Sequence, residues 1–155
     1  MRRENRQKGF TLIEMIAVLV LVGILASGAG LGIVTMVQGY LFSKDNAEIS
    51  EKAQLALSRI NRELLECYDC IGTSGPVGTF NNTIGQRSIQ HVGTNIVTSD
   101  GSGGAPDILM DNVGTFTMIY NADKSITVTI QSSAKPGGVT VPAFTNKVYP
   151  RNTSS

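Results

Sequence analysis

Tryptophan is absent and histidine occurs once, as His91. One imidazole and two cysteines leave little from which to build a metal enzyme or a His-dependent hydrolase. Charge is also scarce, at 16% of residues, against roughly 25% in an average soluble domain. The 13 basic and 12 acidic side chains nearly cancel, at +1, so the basic excess of a general nucleic-acid binder is missing. The shortage of charge is local. Residues 15–43 carry none, and no proline occurs before Pro76. A chain of 155 residues is enough for one domain with one core. This composition favours a membrane-inserted or assembly protein over a soluble catalyst. The expectation is a protein that is not an enzyme and needs no cofactor and no metal.

The charge that is present near the amino terminus is placed asymmetrically. Arg2, Arg3, Arg6 and Lys8 oppose only Glu4, and an apolar helical candidate then runs from Phe10 to about Val37. At about 1.5 Å per residue that helix is roughly 42 Å long, and a hydrocarbon core of about 30 Å needs only around 20 residues. The basic flank favours a cytoplasmic amino terminus, with the remainder on the far side. A cleaved secretory signal would have a shorter apolar region and a small-residue cleavage site. Ala26-Ser27-Gly28-Ala29 offers only a weak one. A plain single-span anchor accounts for the length but gives no role to Glu14.

Glu14 is the odd residue in this stretch. A charged side chain at mid-membrane costs about 2.5–3.5 kcal/mol on insertion scales, and less near the end of a span. An interfacial carboxylate reaching toward headgroups is one reading. The other is that cutting the chain between Gly9 and Phe10 creates an α-amino group four residues from Glu14, on the same helix face, and a neighbouring subunit can present one too. At an effective dielectric near 20, such a pair at about 4 Å gains around 4 kcal/mol before desolvation.

Lys8-Gly9-Phe10-Thr11-Leu12-Ile13-Glu14, followed by Met15-Ile16-Ala17-Val18-Leu19-Val20, resembles the amino-terminal signal of type IV prepilins and type II secretion pseudopilins. The resemblance is strong over about the first 40 residues. It implies a membrane peptidase/methyltransferase that cuts after Gly9 and methylates the new amine of Phe10, and it implies that Glu14 pairs with a terminal amine during assembly. The implied partners are that peptidase, other pilin or pseudopilin subunits, an inner-membrane assembly platform and membrane lipid. The implied destination is the inner membrane as a single-pass protein and then an envelope filament, with this chain as a minor pilin or minor pseudopilin. Many major pilins carry a proline inside this helix, whereas here any kink would fall to glycines. Loss of residues 1–9 leaves 9 basic and 11 acidic side chains, a slightly acidic subunit.

Gly23 with Ser27 and Gly28 with Gly32 stand four apart, a spacing that lets helices approach closely in lipid. Ordinary membrane-helix glycine and a close-packed or partly melted filament core both fit. From Ser43 onward the pattern becomes amphipathic. Ile49, Ala53, Ala56, Ile60, Leu64 and Cys67 trace one helix face, with Leu57 beside it. Glu48–Lys52, Arg59–Glu63 and Arg62–Glu66 fall at i, i+4. The expected organisation is a cleaved leader over 1–9, a span or filament-core helix over 10–37, its amphipathic continuation over 38–70 and a β-rich extracytoplasmic domain over 71–155. The helix is expected to run unbroken over 10–66.

Beyond Ile71 the composition turns to Gly, Thr, Ser and Asn. Alternation over 113–120 and 125–131, around the turn Asn121–Lys124, predicts a β-hairpin. Weaker strands are expected at 87–92 and 107–110, with a loop over 98–106. The fold class is therefore α+β, a long helix packed on a small antiparallel sheet. The segment Phe144–Asn152 is similar to the tail of minor pilins and pseudopilins. Cys67 and Cys70 form a candidate disulfide, since an even pair outside the cytoplasm favours one. A membrane-tethered redox or binding module using these cysteines or the surface loops is the alternative function, but no thioredoxin-like βαβ pattern surrounds them. Asp100, Asp107 and Asp111 lack calcium-loop spacing and read as solvated acids.

Overall fold

The computed structural model describes residues 9–70, 75, 77–101 and 104–151. The basic leader before Gly9, Pro76 and the end of the tail at Asn152 lie outside the described residues. The chain forms two compact units, Met1–Leu41 and Phe42–Ser155. The helix α1, Leu12–Leu65, runs through both.

In the first unit α1 is apolar on every side, and its described side chains, from Leu12 and Ile13 to Val37, are exposed. A helix without a polar face cannot hide in water by turning, and suits lipid or a bundle of like helices. It is the one helix among the described residues long and apolar enough to cross a membrane. Gly23, Gly28, Gly30, Gly32 and Gly39 meet no neighbouring atom where a Cβ would stand, so no packing among the described residues explains them. Ser27 and Thr35 turn their hydroxyls back onto the carbonyls of Ile24 and Gly32, at 2.8 and 3.0 Å. Those bonds satisfy both groups without water.

In the second unit the helix becomes two-faced. Ala53, Ala56, Ile60 and Leu64 are fully buried, while Leu55 on the far side is 64% exposed. Ile49 and Leu57 pack at the margin of the core. Two antiparallel sheets supply the rest. The first comprises β1 Val77–Asn82, β2 Gly85–Val92, β3 Asn95–Ser99 and β4 Asp107–Met110, in that order. The second comprises β5 Val113–Tyr120, β6 Ile126–Ser132 and β7 Phe144–Val148. Period-two alternation sends Phe80, Ile89, Ile96 and Met110 of the first sheet inward, with Phe116, Met118, Ile126, Val128, Ile130 and Val148 of the second, all into one core with the helix stripe.

The single sheet expected from sequence is thus two, because the chain changes sheets at Asp111–Asn112. Asn112 takes a left-handed φ of 52°, a conformation Asn tolerates better than most residues. The N–H of Val113 then bonds to Thr94 at 2.8 Å, and that of Ser133 to Asn112 at 2.8 Å. The expected helix 10–66 is also shorter at both ends. Thr11 lies outside α1 and caps it. After Leu65 the chain leaves the helix, the N–H of Cys67 reaches Leu64 at 3.2 Å, and the N–H of Arg151 takes the carbonyl of Leu65 at 3.1 Å. The carboxy-terminal segment therefore satisfies the end of the helix. The expected loop over 98–106 starts two residues too early, since Thr98 and Ser99 belong to β3.

Candidate processing and assembly site

Gly9, Phe10 and Thr11 are non-helical and exposed. The bond between Gly9 and Phe10 therefore lies in accessible backbone ahead of the first helical turn, where a peptidase can reach it. A Cβ on Gly9 would meet nothing within 4 Å, so folding does not require glycine there. Phe10 is 79% exposed, equally free of intramolecular duty.

Thr11 caps the helix at the backbone N–H of Glu14, a role that the spacing alone could have revealed. Thr11-Leu12-Ile13-Glu14 is a T-x-x-E sequence, the signature of a capping box. The N–H of Glu14 donates to the Thr11 hydroxyl at 3.4 Å and to its carbonyl at 3.1 Å, and the N–H of Met15 donates to the same carbonyl at 3.2 Å. Glu14 is the acid of the first turn, where a carboxylate is favoured by the partial positive charge of the helix amino end. A new α-amine at Phe10 would add like charge to that end, and Glu14 is the acid near it.

Cys67 and Cys70 are joined in a disulfide, with Cys67 fully buried and Cys70 3% exposed. His91, in β2, sits 3.3 Å from the carbonyl of Val113 through Nε2. Of the loop acids, Asp111 is held by Lys52 at 2.9 Å. Among the described residues no three His, Cys, Asp or Glu side chains group to hold a metal ion. Lys52 also meets Glu48 at 3.1 Å, and Arg59 meets Glu63 at 3.1 Å. Glu66 instead accepts from the Thr83 hydroxyl at 3.5 Å, so the third expected helical pair with Arg62 is replaced by a contact to the β1–β2 turn.

A second charged cluster lies at the β5–β6 turn, and sequence reasoning missed it because its partners are far apart in the chain. Asp123 meets Lys147 of β7 at 2.7 Å and accepts from the Ser125 hydroxyl. Lys147 lies 5.4 Å from the centroid of the Tyr149 ring. The Lys147 ammonium and the Ser125 hydroxyl hold the Asp123 carboxyl well below its ordinary range, and Asp123 raises Lys147 in turn. Lys52 likewise lowers Asp111. A lowered carboxyl contributes stability above its unfolded value, near 3.9, and that contribution is lost as pH falls through the folded value. Stability should therefore decline from about pH 4 downward, and Asp123→Asn should flatten that decline. Thermal melts across the acid range check it. An unchanged acid limb would remove Asp123 from the account.

Residues 5–30 match the family model described as the prokaryotic N-terminal methylation motif. No curated protein and no solved structure matches the chain. The match takes in Gly9, Phe10, Thr11 and Glu14 and the first half of the apolar helix. The chain thus carries a type IV pilin/pseudopilin-type prepilin signal, the mark of a subunit that a prepilin peptidase processes and that assembles with other pilin-type subunits.

Proposed function

We propose that the protein is a minor pilin or minor pseudopilin of a bacterial type IV pilus or type II secretion pseudopilus. It waits in the inner membrane with its amino terminus in the cytoplasm and the domain after Phe42 outside. A prepilin peptidase/methyltransferase cuts after Gly9 and methylates Phe10. An inner-membrane platform then moves the subunit from lipid into a filament, where Glu14 neutralises a terminal amine, its own or a neighbour's. The observation that carries this reading is the methylation motif at residues 5–30, set on a helix whose first unit is exposed and apolar all round. The role is structural rather than catalytic. Its support is that the one cysteine pair is buried, whereas cysteines that cycle in catalysis stand in partly exposed surroundings. The same burial weakens the alternative of a membrane-tethered redox module.

Intact mass spectrometry of the envelope protein tests the proposal. The expected species begins at a methylated Phe10 and lacks residues 1–9. A chain that keeps Met1 through Gly9 in a strain with an active prepilin peptidase would reject it.

A further inference from the structure

We propose that the Cys67–Cys70 disulfide is closed by an extracytoplasmic disulfide oxidant before the carboxy-terminal segment docks, and is sealed from solution thereafter. The argument starts from access. Thiol–disulfide exchange passes through a mixed disulfide, so an outside sulfur must reach one of the pair. In the folded domain Cys67 is 0% and Cys70 3% exposed. Both belong to the core that holds Leu64, Phe80 and Val148. A mixed disulfide with a bulky partner has no room there.

The cover is built from chain that comes later. The N–H of Tyr68 bonds the carbonyl of Asn81 at 3.1 Å, and Asp69 bridges to Asn81, so β1 lies along the segment between the cysteines. Val148, at the end of β7, is 2% exposed in the same core. The N–H of Arg151 bonds Leu65 at 3.1 Å, two residues before Cys67. If the segment after the membrane span crosses in chain order, the cysteines emerge well before β7 and Arg151. During that interval both thiols are reachable.

The chemistry balances with one oxidant. One cysteine thiolate attacks the oxidant's disulfide and expels a thiol. The second then attacks the mixed disulfide, closes Cys67–Cys70 and expels the other thiol. Two electrons and two protons pass from the cysteines to the oxidant. This order rests on the extracytoplasmic placement proposed above, but the sealing does not. The terminal mass reads processing and the reduction rate reads burial, so either can fail alone.

The test uses the full-length protein purified in detergent without reductant. It is exposed to dithiothreitol in native buffer and in concentrated urea, and free thiols are alkylated and counted by mass at intervals. By microscopic reversibility, a pair that a small reductant cannot reach in the folded state could not have been closed there. The expected result is a protein isolated without free thiols, reduced at least roughly 100-fold more slowly in native buffer, because reduction must await opening of the core. Comparable rates in the two buffers, or free thiols at both cysteines on isolation, would overturn the proposal.

Discussion

Glu14→Gln should leave the protein in the inner membrane, processed after Gly9, and reduce its recovery in sheared filaments by at least about tenfold. Glutamine is the informative replacement because it removes the charge and keeps the cap. A capping box accepts Gln as well as Glu at its third helical position, and the Thr11 hydroxyl and carbonyl that receive the Glu14 N–H are untouched by the change. Glu14→Ala also keeps those backbone bonds but removes the polar side chain together with its charge. An acid paired with an α-amine in a water-poor filament core gains around 4 kcal/mol before desolvation. A net remainder of only about 1.4 kcal/mol is already tenfold in an equilibrium. Quantitative immunoblots of sheared and membrane fractions read the outcome. If Gln assembles as wild type and Ala does not, a polar side chain at this position, and not its charge, is what assembly needs. If both assemble normally, Glu14 has neither role.

What the sequence reveals of this site follows from one anomaly, an acid at the head of an uncharged run, whose oddness needs no three-dimensional context. The capping role of Thr11 is equally legible as T-x-x-E. The helix stripe and the β5–β6 hairpin are legible because their periods are clean. Ala53, Ala56, Ile60 and Leu64 step around one face, and Ile126, Val128 and Ile130 alternate with Thr127 and Thr129. The strand β1 offers Val-Gly-Thr-Phe-Asn-Asn, with Phe80 its one large residue pointing inward, so alternation has nothing to repeat. The strand β7 buries Val148 while Thr145 and Lys147 stand outward, and it reads as a polar tail until its pairing with β6 is seen. The ion pair between Asp123 and Lys147 joins positions brought together only by that pairing. The split into two sheets depends on the left-handed Asn112, and an Asp-Asn pair between strands signals a turn without saying where the chain goes next.

The remaining large effect concerns the second half of the helix, which has one face for its own domain and one that its domain leaves open. Ile60→Ala should cost about 2–5 kcal/mol, the range for truncating a fully buried Ile or Leu, because Ile60 is 0% exposed in the core shared by both sheets. Against a typical total of 5–15 kcal/mol, that is a loss of order 10–20 °C in Tm. Leu55→Ala, one and a half turns away and 64% exposed, should stay within about 0.5 kcal/mol. Melts followed through the tyrosines in the near-ultraviolet isolate the domain, since Tyr68, Tyr120 and Tyr149 lie in it and Tyr40 alone does not. Equal losses for the two variants would mean that the helix is clasped on both sides. The expected contrast leaves the Leu55 face free of any duty in folding, so that a defect of Leu55→Ala in filament recovery would report a contact with a neighbouring subunit and nothing else.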